Sequence, residues 1–415
     1  LTGLQPAADG VSLAAHTMTI WRTQVRFIGA GAIGVAAIYT LARLAKPVIG
    51  GLVSTLAAGR AAKITDDLDR DLSPRWIIGL TIACLGIAGV LAFTFARSTV
   101  LAPQATTLTL IAVPFVLIVG FLIAGVCGYM AGLIGASNSP ISGVGILSIV
   151  LAASALVVAV TPTDITRAPL VAFALFITSI VFACATISND NLQDLKTGQL
   201  VGASPMRQQI ALIVGVAAGA AVIPLVLNLL AKAYGFAGAA NVGVVAPNPL
   251  PAPQATLISA LAQGVVGGNL EWKMIGIGVL VGVGLILLDT TLGAFKKLRI
   301  PPLAVGIGIY LPMSATFAVI VGAVISHWYD RRVRRTAKNP ERAMRLGTLV
   351  ASGLIVGESL WGVLNAGLIV GLSKDAPIGI MPADFALAPW LGLAGFVGTI
   401  VWLYGWMLRR SAAVR

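Results

Sequence analysis

An all-α polytopic membrane protein is the fold class this sequence predicts, with about ten transmembrane segments, some of them broken or re-entrant. Three observations predict it. Hydrophobic residues make up 58% of the 415-residue chain and charged residues 10%, against roughly 45–50% and about 25% in a soluble domain. The mean hydropathy is +0.95, so a surface of this composition could not stay wetted. Apolar windows long enough to cross a bilayer follow one another along the chain, and Lys and Arg collect in the intervals between them.

Taken in chain order, the first window is Phe27–Leu56, interrupted by Arg43, Lys46 and Pro47. Trp76–Ala96, Leu108–Ile134, Ile141–Val160, Pro169–Ile187 and Gln209–Ala231 follow, then Trp272–Leu292, Leu346–Leu372 and Ala388–Leu408. Each holds the roughly 20 mostly apolar residues that a spanning helix needs. One such window alone could be a buried core helix; a long succession of them is not explained that way. Pro301–Ser326 is apolar but interrupted at Tyr310–Leu311–Pro312. The whole of 1–415 reads as a single transmembrane domain.

Orientation follows from the basic intervals, because cytoplasmic loops collect Lys and Arg. "HWYDRRVRRTAKNPERAMR", His327–Arg345, is the most basic stretch and is placed inside, with the tail Arg409, Arg410 and Arg415. Lys296, Lys297 and Arg299 form another inner cluster. Keeping it and 327–345 on one side favours a pair of half-helices over 301–326, against an ordinary kinked helix. By parity, 60–75, 135–142 and 194–209 lie inside; 97–107, 161–167 and 234–271 lie outside. The net charge of +13 is thereby explained by topology, and no nucleic-acid partner is implied. Cys84, Cys127 and Cys184 all fall inside apolar windows with no metal-ligand or disulfide spacing.

"AGLIGASNSPISGVGIL", Ala131–Leu147, places Ser137, Asn138, Ser139, Pro140 and Ser142 between two oily segments. A Ser-Asn-Ser-Pro run does not easily continue a helix, because proline removes a donor and clashes with the preceding turn, and broken backbone at membrane depth survives only where it is buried in protein or faces a watery cavity. Transporters place such breaks at the substrate site. Ser137, Asn138, Ser139 and Ser142 are therefore candidate substrate-binding residues; a surface loop in which Ser139 or Asn138 caps the next helix is the plainer alternative. "PPLAVGIGIYLPMSA", Pro301–Ala315, is a second interrupted segment, and Tyr310 at its break is a further candidate, with a packed interfacial tyrosine as the alternative. Two such segments hint at a weak internal repeat.

"GLIGASNSPISGVGI" and "ISNDNLQDLKTGQLVGASPMRQQ" (Ile187–Gln209) resemble signatures of the oligopeptide transporter family, including its yellow-stripe-like branch of metal-chelate transporters. "LPAPQATLISALAQGVVGGNLEW" (Leu250–Trp272), "AVGIGIYLP" (Ala304–Pro312) and "GLIVGESLWGV" (Gly353–Val363) fall in the same family order. The organisation looks most like the bacterial branch, and the resemblance covers the C-terminal two-thirds of such proteins, so N-terminal helices are absent from this chain or it is a truncated member. The resemblance implies a secondary transporter, usually driven by protons, moving small peptides or metal–chelate complexes across the inner membrane of a bacterium. It implies a helical fold with pseudo-repeats.

Among ionisable residues, Glu358 lies in an apolar window, where a charge is costly and is a functional hypothesis by default. It is the first candidate for carrying a coupling proton; packing against Ser359 or Asn365 is the alternative. Asp190, in the Ile187–Gln209 motif, is the second candidate, with Asn189 and Asn191 ordering the turn. Asp289 reads as a structural partner for the nearby basic cluster. Ser139 has no histidine or acid nearby in sequence to activate it, so the chain is not read as an enzyme, and no cofactor or protein-held metal is implied. The rival functional reading is a passive channel or a non-transporting membrane subunit. Polytopic transporters often pair, which makes a homodimer the assembly to test, although no dimer face is evident.

Overall fold

The computed structural model describes residues 12–413, apart from 62–67, 69, 136–138, 140, 237–238, 240, 242, 247–248, 251, 269–270, 296–298, 338 and 381–384. The described chain is helical, and its extended pairing is a single isolated bridge between Phe236 and Leu250. It divides into two compact units. The first comprises Leu1–Ala217 and Pro253–Leu311; the second comprises Ala218–Ala252 and Pro312–Arg415.

In the first unit, α1 (Leu13–Ile20) runs through a π turn (Trp21–Val25) into α2 (Arg26–Ala61). Then come α3 (Pro74–Arg97), α4 (Ala105–Ile134), α5 (Ile141–Ala159), α6 (Arg167–Val201) and the first half of α7 (Pro205–Ala233). After the 234–252 segment follow α8 (Pro253–Gly267), α9 (Trp272–Ala294) and α10 (Pro302–Tyr310). Local chemistry sets the ends. Ser73 is extended with Pro74 at the first helical position of α3, where the missing N–H costs nothing. Gly202 closes α6 with φ +72°, a left-handed turn that glycine adopts without strain, and Pro205 opens the next helix.

The core of this unit lies between α4, α5 and α6, where Leu108, Ile149, Leu156, Leu170, Phe173 and Ile177 are buried. Phe95 of α3 stacks on Phe176 with centroids 5.4 Å apart. Elsewhere small residues set the spacing. A Cβ on Gly31 of α2 would strike the Ile275 carbonyl, and one on Gly278 of α9 would strike the Ile28 carbonyl. Lipid supplies no hydrophobic drive for helix association, so such close backbone packing is what holds spanning helices together.

The second unit contains the second half of α7, then α11 (Met313–Thr336), α12 (Pro340–Leu372) and α13 (Ala388–Ala413). Asn339 caps α12, its side chain accepting the Arg342 N–H at 3.1 Å, with Pro340 at the first turn. Tyr329 is buried beside Val333, Ala343 and Met407, donates to the Ala343 carbonyl at 3.0 Å and meets Tyr404 edge-on at 5.5 Å. Burial raises its pKa, so the hydroxyl remains a donor at neutral pH. At the other end of α12, Ala366 and Ile369 pack with Ala233 and Ala246, and Asn365 donates to the Tyr234 hydroxyl at 2.7 Å.

Among the described residues, seven helices are long and apolar enough to cross a membrane: α3, α6, α7, α9, α12, segment 102–133 with all but the last residue of α4, and 388–410 of α13. The chain is a multi-pass membrane protein. The expectation of about ten spans is not reached by that count, and the reason is local. In α5 the qualifying apolar stretch is the shorter Gly143–Ala159. The 301–326 window divides into nine-residue α10 and a separate α11 whose last turns carry arginines. The first window lies within α2, which also carries Arg43 and Lys46.

Intervals assigned to one side meet one another within the first unit. The Arg70 carbonyl accepts from the Met206 N–H at 3.0 Å, and Gln209 bridges Asp71 (3.1 Å) and the Leu72 N–H (3.0 Å), joining two inner intervals. On the opposite side, Arg167 at the start of α6 shares a cleft with Gln263 and Gly267 at the end of α8.

Candidate substrate site

The first interruption separates α4 from α5. Gly135 ends α4 with φ +69° and bonds back to the Ala131 carbonyl at 2.8 Å. Ser137 and Asn138 lie outside the described residues, and so does the side chain of Ser142, whose backbone is in the first turn of α5. Ser139 is half-buried. Its hydroxyl lies 2.6 Å from Asn189 Oδ1 and 3.0 Å from the Cys127 carbonyl, neither of which is a general base. Asn189 is 2% exposed on α6 and donates through Nδ2 to Asp190 Oδ1 at 3.2 Å. One residue earlier, Ser188 donates to the Ala124 carbonyl at 2.7 Å. Ser139 of the break and Ser188 and Asn189 of α6 are thus spent on α4 and on neighbouring polar groups, as backbone disruption away from water requires. Asp190 itself is exposed.

The second interruption follows α10. Leu311 and Pro312 are extended, with ψ 147° and 152°, so the Ile309 carbonyl is freed from the helical ladder. It accepts from Trp21 Nε1 at 3.3 Å. Trp21 opens the π turn, a wide turn frequent at functional sites. That turn delivers Arg26 to Tyr310: the guanidinium donates to the Tyr310 hydroxyl, lies 4.7 Å from the Tyr310 ring centroid and 5.2 Å from that of Trp21. Tyr310 is 3% exposed and also engages the backbone at Leu257 of α8. A cation between two aromatic rings is held by their quadrupoles.

Helix α2 brings the two interruptions to one place. Gly29 lies against the Tyr310 backbone and Gly306 against Ile33, while Gly143 at the start of α5 lies against Ala37 and the Ile33 carbonyl. Positions 29 and 37 are about 12 Å apart along a helix of ~1.5 Å rise per residue. Beside the first interruption, a cleft of about 460 Å³ is lined by Tyr129, Gly132, Asp71, Lys196 and Gln199. The charged members come from inner intervals, so this cleft offers a polar mouth next to the broken segment.

The remaining candidates stand elsewhere. Glu358 is on an exposed face of α12, in the second unit, among exposed Leu354, Ile355 and Trp361. Asp289 makes a two-pronged ion pair with Arg299, Nε to Oδ1 at 2.8 Å and Nη2 to Oδ2 at 2.6 Å, and accepts the Ile300 N–H at 3.0 Å. It anchors the α9–α10 connection, the structural role its neighbourhood suggested. Arg26 and Trp21 went unnoticed in the sequence, because a cation such as Arg22 or Arg26 just before the Phe27–Leu56 window reads as an ordinary span flank. The signal was present: Arg26 is flanked by apolar residues on both sides of a Trp-containing turn. Among the described residues there is no group of three or more His, Cys, Asp or Glu able to hold a metal ion.

The family model of the OPT oligopeptide transporter protein matches residues 8–369. This chain belongs to the oligopeptide transporter family. A Haemophilus influenzae protein named as an oligopeptide transporter is 40% identical over 422 residues, covering 99% of this chain and 66% of that relative. Two Arabidopsis thaliana proteins named as metal-nicotianamine transporters, YSL5 and YSL8, are each 28% identical over 200 residues, 46% of this chain and 26% of theirs. The chain therefore spans less than two thirds of the length of these family relatives. No solved structure matches it. The family match covers both interruptions, the Ile187–Gln209 segment and Glu358, so every candidate residue lies on the family's shared portion.

Proposed function

We propose that this protein forms the substrate-translocating part of a secondary active, proton-coupled transporter in the inner membrane of a bacterium, moving small peptides or metal–chelate compounds rather than catalysing a reaction. The observation that carries the reading is the convergence of two helix interruptions on α2 with Arg26 held against Tyr310 at one of them. Peptides and chelators of the nicotianamine type both carry carboxylates. A guanidinium presents planar paired donors to a carboxylate, and freed backbone at the interruptions supplies further polar partners. A metal would travel inside its chelator, with the protein gripping the organic part. Ser137, Asn138, Ser139 and Ser142 are the substrate-binding candidates of the first interruption, and Tyr310 is that of the second. Glu358 carries the coupling proton, an ionisable group in an apolar helix being suited to charge and discharge as its surroundings change; Asp190 serves as a relay toward the inner face. The single transmembrane domain and a homodimeric assembly complete the proposal.

The test is uptake into liposomes containing the purified protein, driven by an imposed proton gradient, with a competition panel of di- and tripeptides against iron–nicotianamine-type complexes. Accumulation that collapses with the gradient supports the reading. Flux that ignores the gradient points to a passive channel, and no flux under any gradient points to a non-transporting subunit. Glu358→Gln is expected to abolish accumulation while leaving counterflow of substrate; unchanged gradient-driven uptake removes Glu358 from the mechanism.

A further inference from the structure

We propose that the basic cleft between the start of α12 and the end of α13 is a binding site for the headgroup of an anionic phospholipid of the cytoplasmic leaflet. The cleft has a volume of about 660 Å³ and lies wholly within the second unit. Arg342, Arg345 and Arg410 line it, together with Trp406. All three arginines are exposed, and among the described residues none of them is in a salt bridge with Glu341, the acidic residue in the lining. Arg410 stands 5.7 Å from the Trp406 ring centroid, which orders its guanidinium without neutralising it.

Shape and polarity argue for a lipid. The charged mouth continues into Leu346 and Leu349 of the same lining, and Leu349 is 69% exposed. On α13, Trp402, one turn before Trp406 on the same face, is 68% exposed. A ligand with an anionic head and an apolar tail fits both ends, whereas a free phosphate leaves the apolar portion unused. Trp406 lies where aromatic side chains anchor spans at the headgroup level. Basic pockets between spanning helices on the cytoplasmic side bind such headgroups, and the basic 327–345 and 409–415 intervals place this end there.

The measurement is thermal stabilisation and native mass spectrometry of the purified full chain, titrated with phosphatidylglycerol, phosphatidylcholine and inorganic phosphate. Phosphatidylglycerol is expected to raise the melting temperature and remain bound, at least fivefold more tightly than phosphatidylcholine. The triple variant Arg342→Gln/Arg345→Gln/Arg410→Gln should lose that preference. A charge-matched control, Arg331→Gln/Arg332→Gln/Arg335→Gln, alters exposed arginines of the same basic interval outside the cleft and should keep it within twofold. Should the triple variant fail to fold, Arg410→Gln alone, on an exposed side chain, is read in the same titration and should weaken the lipid at least twofold. Equal losses in cleft and control variants reduce the effect to general surface charge and overturn the proposal. So do equal responses to inorganic phosphate and phosphatidylglycerol, or no response to either.

Discussion

At the scale of single residues, two side chains carry the strongest expectations. Asn189 is a buried amide that answers Ser139 on one side and Asp190 on the other. Asn189→Ala leaves the Ser139 hydroxyl with the Cys127 carbonyl alone. A hydrogen bond between membrane helices is worth about 1–2 kcal/mol at most, so the variant should unfold a few degrees lower in detergent, measured by a thermal-shift assay, and still assemble. Arg26 differs because its role depends on shape. Arg26→Lys keeps the charge but cannot offer paired planar donors or stack between rings. Uptake should fall about tenfold or more through a raised KM, on the scale of roughly 1.4 kcal/mol per decade, while the melting temperature hardly moves; an unchanged KM would take Arg26 out of substrate recognition. Neither residue stood out fully in the sequence. Asn189 was legible as part of a polar motif and Ser139 as part of the α4–α5 interruption, whereas their pairing was not. Arg26 and Tyr310 are 284 positions apart, and a local pattern contains nothing that joins them.

At the scale of elements, the interrupted helices were readable and the meeting of α2 with α9 was not. Proline lacks the donor and crowds the preceding turn, and at Leu311–Pro312 the backbone is extended, whereas Pro114 and Pro224 are accommodated inside α4 and α7. Glycines at 31 and 278 do not announce their partners. The structure shows each one pressed against backbone of the facing helix, so nothing flexible can yield to a side chain. Gly278→Val should therefore prevent assembly, seen as loss of the monodisperse peak in fluorescence-detected gel filtration. Gly276→Ala, two positions away with open space around its Cβ, should leave the peak intact. The Asp289–Arg299 pair ties α9 to the segment before α10. Asp289→Asn should loosen that connection, read as faster proteolysis near residue 296, and combining it with Arg299→Gln should add little to either single change because both remove the same bond.

At the scale of the whole molecule, the topology is the testable quantity. Single cysteines introduced in a cysteine-free background at Ser204 and Asn339 should be labelled by an impermeant maleimide only from the cytoplasmic side, and one at Thr161 only from the opposite side. Labelling of Thr161 and Ser204 from the same face would contradict the parity of α6. Each of these positions lies in an interval whose side was assigned from charge, and the contacts of residues 70–72 with 206–209 agree with that assignment.

Solvent and secondary structure were determined by the sequence alone, since a chain with 58% hydrophobic and 10% charged residues has to satisfy its backbone inside helices in lipid. The sidedness of its intervals and the places where helices cannot continue follow from the same local rules. What only the tertiary structure decided is which distant pieces share a neighbourhood: Ser139 with Asn189, Tyr310 with Arg26, and both interruptions on α2. Between membrane helices, packing depends on the fit of small residues and a few hydrogen bonds rather than on burial of oily surface from water. A hydropathy pattern therefore marks the helices without naming their partners.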